Sequence, residues 1–280
     1  MTNAFLEARE ARFANFAAHF PHTGLSPLAV AHPIRPDLFA KYRDAVAAYH
    51  DMAKQYDFAN LTPAGMLMPK RENERLYTEV TARFLDIADS LSVGDLIKGW
   101  NIPAIRHKNA LTNPEHLKRP FVSEDAHCDA WIGWGADCML FLTPVLGDTT
   151  HNWVRFFGHP RTVDETWIRR LGSFRDGEPF KDQCEVLPKH YQPGYLYIVD
   201  IAVIHQTIRD QGADWRVGME MVGYFVAPPE GSWAHETVFT PDEAAGLRTG
   251  RKRYACDLKM GEIADNVGGK RGANLHLVDA

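Results

Sequence analysis

The middle of this chain changes from helical periodicity to short apolar runs with almost no helix-forming sequence between them. The runs are broken by Gly, Pro and Asp, and they lie at 102–106, 130–134, 138–145, 153–157, 195–208 and 217–226. Short apolar runs bounded by turn residues are typical of β-strands. Parallel strands need crossover helices, for which the sequence leaves room only near 163–171, so antiparallel pairing in a sandwich or barrel is favoured.

The first third of the chain carries helical periodicity instead. Apolar residues recur there at three- and four-residue spacings, which is typical of amphipathic helices. Prolines fill the connections between these stretches. The predicted helices cover 5–20, 38–56 and 72–91.

The length of 280 residues suits one large domain or two small ones. We predict a single domain, 1–280, made of an N-terminal helical region (1–98), a β core (99–230) and a C-terminal extension (231–280). Within the extension, residues 242–247 predict a short helix. The Gly-rich tail beyond that helix either packs as a flap or stays loose.

Composition excludes several function classes. The net charge is −5, and the longest basic run, Arg251-Lys252-Arg253, is too short for a nucleic-acid footprint. No apolar stretch approaches the ~20 residues of a membrane span, and Glu7 interrupts the N-terminus before a signal peptide could form. The four cysteines include no C-x-x-C pair, which predicts free thiols. We therefore expect a cytoplasmic protein with neither a nucleic-acid nor a membrane partner.

The most informative stretch is the motif His127-Cys128-Asp129. Residues two apart on an extended strand project from the same face, so His127 and Asp129 offer an imidazole and a carboxylate to one point, and Cys128 faces away. His205 follows 78 residues later in the strand-like run 195–208, a separation that leaves room for intervening strands in a rolled sheet. Two His and one carboxylate leave three metal positions open, which suits Fe(II) with a bidentate co-substrate and O₂.

Two further residues follow His205. Arg216 opens an apolar strand, where a buried guanidinium could take a carboxylate in a two-pronged salt bridge. Thr207 lies two residues after His205, on the same strand face, and adds a hydroxyl donor. Both residues suit the distal carboxylate of 2-oxoglutarate. The alternative for Arg216 is a structural salt bridge to Glu220 on its own strand.

The metal triad, followed by Thr207 and Arg216, resembles the Fe(II)/2-oxoglutarate-dependent dioxygenase superfamily, in particular its phytanoyl-CoA-dioxygenase-like branch. The resemblance extends over residues 102–226. It implies a mainly β fold with flanking helices, a double-stranded β-helix (jelly roll, cupin-like) buttressed by the N-terminal helical region. It also implies Fe(II) as the metal, with 2-oxoglutarate and O₂ as co-substrates that become succinate and CO₂.

The resemblance further implies that a basic residue on the strand before the triad holds 2-oxoglutarate or substrate, which indicates Arg106 and Lys108. Trp131 and Trp134 are candidates for lining the substrate pocket, with core packing as the alternative. Arg155 projects into the barrel if strand alternation holds, and otherwise lies on a solvated strand edge. We therefore expect a small-molecule substrate, anionic if these basic residues turn inward. A homo-oligomer remains open.

Asp129 also bears on the outcome of the reaction. Halogenating relatives carry a small residue in place of this carboxylate, so the resemblance implies hydroxylation or desaturation of a small biosynthetic metabolite, and not halogenation. Two alternatives stay open. One is a cupin-like metalloenzyme that does not use 2-oxoglutarate, and the other is a non-catalytic jelly roll that binds a small molecule.

Overall fold

The computed structural model describes residues 3–112, 114–228, 238–262 and 274–280. The helices are α1 (Ala4–Ala17), α2 (Pro36–Gln55), α3 (Glu74–Asp89), α4 (Glu178–Lys181) and α5 (Pro241–Arg248). The strands are β1 (Thr23–Ser26), β2 (Ala29–Pro33), β3 (Gly99–Asn101), β4 (Ala104–Lys108), β5 (Cys138–Gly147), β6 (Asn152–Gly158), β7 (Glu185–Val186), β8 (Tyr195–Asp200), β9 (His205–Arg209), β10 (Arg216–Tyr224), β11 (Val238–Phe239), β12 (Lys252–Cys256) and β13 (Leu275–Asp279). Among the described residues, no helix combines the length and apolar character that crossing a membrane requires.

The chain forms two compact units, and the first comprises Met1–Pro33 and Lys108–Val217. Its larger sheet has the strand order β1-β2-β8-β5 and its smaller sheet the order β7-β6-β9, with antiparallel pairing throughout. Helix α1 buries Leu6, Phe13 and Phe16, and the Phe16 ring meets Phe141 of β5 edge-on at 6.2 Å. The antiparallel arrangement predicted from the short apolar runs is confirmed.

The second unit comprises Ile34–His107 and Gly218–Ala280. Helices α2 and α3 pack together through aromatic residues, including Tyr42 against Phe84 with ring centroids 6.3 Å apart. Strand β3 lies between β11 and the end of β10, and β12 and β13 form a hairpin. Helix α5 covers the short helix predicted at 242–247, and its start carries a capping box between Thr240 and Glu243.

Two predictions about local structure are corrected. The N-terminal region contains the three predicted helices and, in addition, the β1–β2 hairpin. The prolines of this segment had predicted only connections between helices. Strand β2 is almost wholly buried beside β8. Residues 130–134 were predicted as a strand, but most of them belong to a 3-10 turn, Asp129–Ile132. The turn is capped by Gly133, where φ is +101°. The unit boundaries also differ from the predicted region boundaries at 98 and 230. The single domain stays a prediction, and the Gly-rich tail lies largely within 263–273, outside the described residues.

A buried ion pair attaches α1 to the end of β8. Asp200 is fully buried, and its Oδ1 accepts hydrogen bonds from Nε and Nη2 of Arg9 at 3.0 and 2.5 Å. The backbone N–H of Ala202 donates to the same oxygen at 2.9 Å. Because Asp200 ends β8 and β9 begins at His205, this pair fixes the turn that leads into β9.

Replacing Arg9 by Met should therefore lower the free energy of unfolding by about 3 kcal/mol, because removing one partner leaves a buried charge uncompensated. This loss of stability is at the low end of the range for buried ion pairs, because Arg12 Nη2 stays 3.7 Å from the second carboxylate oxygen of Asp200. Urea denaturation at pH 7 measures the change. Arg161→Met is the control, because its pair with Glu10 is exposed on the arginine side and should contribute less than about 1 kcal/mol. Equal losses of unfolding free energy in Arg9→Met and Arg161→Met would contradict the stabilising role assigned to the buried Arg9–Asp200 pair.

In the second unit, two buried histidines stack on each other. The rings of His50 in α2 and His107 in β4 are 5.2 Å apart at 21°, with Nε2 of His50 3.1 Å from Nδ1 of His107. Phe58 covers the pair, 4.8 Å from the His107 ring. Burial and, second, the neighbouring His107 lower the pKa of His50 from 6.5 to about 4.

This depressed pKa makes the stability of the protein pH-dependent. The folded state favours neutral His50, so its contribution is complete above about pH 6.5 and is lost as the pH falls towards 4. The urea midpoint of the wild type should decline over that interval, and His50→Phe should make the decline shallower. His22→Phe, at an exposed position, is the control. A decline equally steep in His50→Phe would contradict the prediction.

Candidate metal centre

The two histidines of the predicted triad are joined through their backbones. The N–H of His127 donates to the carbonyl of His205 at 2.9 Å, and the N–H of His205 donates back at 2.7 Å. One step along, the N–H of Thr207 donates to the carbonyl of Ser123 at 2.7 Å. Strand β9 therefore has β6 on one edge and the segment 123–127 on the other. These bonds close the 78-residue separation seen in the sequence.

Backbone carbonyls also set the tautomer of each imidazole. Nδ1 of His127 lies 2.8 Å from the carbonyl oxygen of Asp125, and Nδ1 of His205 lies 3.2 Å from that of Val203. A carbonyl oxygen only accepts, so each Nδ1 carries the proton and each Nε2 keeps a lone pair. An imidazole in this state presents Nε2 to a metal with its orientation fixed by the second hydrogen bond.

Asp129 reaches the same point from the start of the 3-10 turn. Cys128 is extended, with φ −114° and ψ 152°, so Asp129 returns to the face of His127 before the chain turns at Asp129–Ile132. Cys128 itself is fully buried, and burial raises the pKa of its thiol well above the ordinary value. A protonated, buried thiol behaves as a small apolar group, as predicted for this position.

The ligand atoms of His127, Asp129 and His205 all lie within 4.8 Å of one another. The two histidines are buried and the aspartate is half-buried. Two neutral imidazoles and one carboxylate are the donor set that non-haem Fe(II) takes in its two-histidine, one-carboxylate sites, so these residues fit that metal.

Arg216, at the start of β10, is buried with neutral partners only. Its Nη1 donates to the hydroxyl of Tyr191 at 2.6 Å, its Nε donates to Oδ1 of Asn152 at 3.4 Å, and it lies over the Tyr191 ring. The guanidinium is 3% exposed, and no carboxylate of the described residues pairs with it. Glu220, the alternative partner expected from the sequence, pairs with Arg106.

The register of β6 and β9 aligns these groups on one face. Phe156 pairs with His205, and Val154 pairs with Thr207, so these side chains share a face with Asn152, two positions further along β6. Thr207 lies on this face between His205 and the Asn152 that contacts Arg216. The sequence expectation that Thr207 shares the face of His205 is met by this register.

A charged network holds the segment that precedes the triad. Lys108 is buried, and its Nζ donates to Oγ of Ser123 at 2.7 Å. Arg209 of β9 pairs with Glu124 at 2.8 Å and donates through Nε to the carbonyl of Asn109. Burial alone would raise the pKa of Glu124, but the charges of Lys108 and Arg209 hold it below its usual range. The network attaches Asn109 and Glu124 to the strand that carries His205.

Two other predicted site residues are Arg155 and Trp131. Arg155 is one residue out of step with Phe156 and so lies on the opposite face of β6 from His205, where its guanidinium covers the Trp153 ring; the expected inward projection is wrong. Trp131 is 0% exposed and donates its indole N–H to the carbonyl of Trp167, which makes it a packing residue.

The remaining predicted residues are Trp134 and Arg106. Trp134 is buried, at 5% exposure. Arg106 belongs to the second unit, where it pairs with Glu220 through a half-buried salt bridge. That pair satisfies the charge of Arg106 locally, unlike the charge of Arg216.

Sequence reasoning missed several residues that support the site. Asn152 donates from Nδ2 to the carbonyls of Lys108 and Asp214, at 3.2 and 3.0 Å, while its Oδ1 accepts from Arg216. Asn152 directly precedes the predicted strand 153–157 and is the first residue of β6 in the structure. Tyr191 and Phe174 lie in irregular segments that carry no periodic pattern.

No protein-family model matches the chain, and no curated protein sequence matches it. Solved structures do match. The chain is similar to the non-heme alpha ketoglutarate dependent carbocyclase SnoK from nogalamycin biosynthesis, with 8% identity and a TM-score of 0.50 over 80% of this chain and 87% of that chain. It is also similar to AviO1 from Streptomyces viridochromogenes Tue57 (11% identity, TM-score 0.47, covering 79% and 98%) and to the epimerase SnoN in complex with Fe3+, alpha ketoglutarate and nogalamycin RO (17% identity, TM-score 0.44, covering 97% and 99%).

At this identity the likeness to SnoK identifies the fold, whose elements are those described above. The phytanoyl-CoA-dioxygenase-like branch stays a prediction. The mainly β architecture with flanking helices is confirmed, and the chain shares its jelly-roll fold with SnoK.

Proposed function

We propose that this protein is a non-haem Fe(II)- and 2-oxoglutarate-dependent oxygenase that hydroxylates or desaturates a small biosynthetic metabolite. The observation that carries the proposal is the meeting of two imidazoles and one carboxylate, from His127, Asp129 and His205, within 4.8 Å. This donor set leaves metal positions for a bidentate co-substrate and O₂. Fe(II) bound there would supply the oxidising chemistry, with 2-oxoglutarate and O₂ converted into succinate and CO₂.

The chain's own residues would orient the co-substrate. Arg216 is buried, and none of the carboxylates in the described part of the chain pairs with it; a buried cation is costly unless an anion joins it. The distal carboxylate of 2-oxoglutarate is that anion in our proposal, held in a two-pronged contact with the guanidinium. Thr207 would add its hydroxyl to the same carboxylate. Tyr191 and Asn152 hold the guanidinium from the side, so its direction does not depend on the ligand.

The substrate is proposed to be a small molecule. If the substrate is anionic, we propose that Lys108 is the basic residue that attracts it, since Arg155 lies on the far face of β6. Lys108 is buried at the end of β4 and contacts Ser123, four residues before His127. The reaction outcome also extends to cyclisation, since the similar protein SnoK is described as a carbocyclase.

The metal assignment is tested with Co(II), whose visible absorption reports binding without any turnover. His205→Ala should weaken Co(II) binding by more than about 100-fold, because a direct ligand matters more than outer-shell groups, whose loss costs about 10- to 100-fold. His159→Ala is the matched control. Nε2 of His159 donates to the carbonyl of Ala202 at 2.8 Å, and His159 is not part of the ligand group. Equal affinity in both variants would refute the assigned ligand.

The co-substrate assignment is tested by titrating 2-oxoglutarate into the anaerobic Fe(II) protein and following the visible charge-transfer band of the chelate. Arg216→Met should weaken 2-oxoglutarate binding by about 10- to 100-fold, because charge-assisted hydrogen bonds contribute about 1.5–3 kcal/mol. Its Co(II) affinity should match that of the wild type. Arg155→Met, from the far face of β6, serves as the control and should bind 2-oxoglutarate normally.

Two results would reject the proposed function in favour of its alternatives, and a third would reject only the role of Arg216. A wild type that gives neither the band nor succinate from 2-oxoglutarate, while binding metal, is a cupin-like metalloenzyme of another kind. A wild type that binds neither Co(II) nor Fe(II) is a non-catalytic binding protein. Unchanged 2-oxoglutarate affinity in Arg216→Met would show that the anchor lies elsewhere.

A further inference from the structure

One short turn contacts His127 and also Trp131, which follows Asp129 by two residues. The 3-10 turn Phe174–Gly177 begins with Phe174, whose ring stacks on the imidazole of His127 with centroids 4.0 Å apart at 18°. The turn ends with Gly177, which lies against the indole of Trp131. Trp131 follows Asp129 by two residues within the other 3-10 turn.

The turn is anchored from outside the metal group. The N–H of Phe174 donates to the carbonyl of Pro120 at 2.9 Å, and the Phe121 ring meets Phe174 edge-on at 5.1 Å. The hydroxyl of Ser173 caps the turn by accepting from the N–H of Arg175 at 3.0 Å. Phe174 is therefore held in place independently of His127, and its ring limits the tilt of the imidazole plane.

Gly177 is required by space rather than by backbone conformation. Its φ of −90° and ψ of −3° are open to any residue. A Cβ at this position, however, would overlap Cζ3 and Cη2 of Trp131 and lie 2.7 Å from Cε3. The indole cannot simply retreat, because it is fully buried, bonded through its N–H to Trp167 and backed by Phe180.

We propose that Phe174 and Gly177 are positioning residues for the metal centre, with Phe174 setting the imidazole plane of His127 and Gly177 setting the depth of Trp131. Because Trp131 and Asp129 share one turn of four residues, a displaced indole displaces the carboxylate. One rigid turn thus fixes two of three ligands relative to each other. This inference rests on the proposed metal-dependent function. It concerns residues that would not bind the metal themselves.

A double-mutant cycle tests the role of Gly177. Gly177→Ala should weaken Co(II) binding by about 10- to 100-fold, the range for groups that orient metal ligands, and should alter the visible Co(II) spectrum. Trp131→Phe removes the benzo ring that the new methyl group would strike. Adding Trp131→Phe to Gly177→Ala should therefore restore Co(II) affinity to within about threefold of Trp131→Phe alone, a coupling that independent sites do not show.

A second variant tests Phe174 and also covers the case in which Gly177→Ala does not fold. Phe174→Leu should weaken Co(II) binding about 10-fold and change the spectrum. Phe16→Leu is the matched control, an equally buried aromatic residue of the same unit that contacts Phe20 and Phe141 instead of a ligand. Its thermal midpoint should fall while its Co(II) affinity stays that of the wild type.

The results separate this inference from the proposed function. Wild-type Co(II) affinity in both Phe174→Leu and folded Gly177→Ala, or weak binding in the double variant alongside strong binding in Trp131→Phe, would overturn the positioning role while leaving the metal site intact. Absence of Co(II) binding by the wild type would overturn the proposed function itself, and the positioning role with it.

Discussion

The pair of backbone hydrogen bonds between His127 and His205 is the constraint on which the candidate metal centre depends. It joins two segments 78 residues apart and brings their imidazoles to a centroid distance of 4.4 Å. Each segment also contributes the carbonyl that fixes its own histidine's tautomer, from Asp125 and Val203. The buried Arg9–Asp200 pair steadies the turn into β9, so α1 supports the centre without touching it.

The buried and half-buried arginines of the first unit differ in the partners that the structure gives them. Arg9 meets Asp200, and Arg209 meets Glu124, so these charges are compensated within the protein. Arg216 instead contacts a tyrosine hydroxyl and an asparagine carbonyl, which orient the guanidinium but leave its charge uncompensated. Such an arrangement costs stability in the free protein and makes an incoming carboxylate correspondingly favourable.

The sequence predicted the elements that follow from periodicity and spacing. The three N-terminal helices, the antiparallel strands and the shared face of His205 and Thr207 all follow from local patterns, and these are found in the structure. The surroundings of Arg155 and Trp131 did not follow from the sequence, because they depend on register and on packing partners distant in the chain. The face on which Arg155 lies can be predicted only if the pairing of Phe156 with His205 is known, and no local pattern reveals that pairing.

The same limit explains why Phe174 and Gly177 escaped sequence reasoning. A 3-10 turn has no apolar period, and a glycine with φ of −90° looks replaceable until its neighbour is known. Its neighbour, the indole of Trp131, is placed by hydrogen bonding to Trp167 and by the turn that begins at Asp129. The arrangement of the candidate metal centre thus depends on contacts between irregular segments, in addition to the sheet pairing that brings the two histidines together.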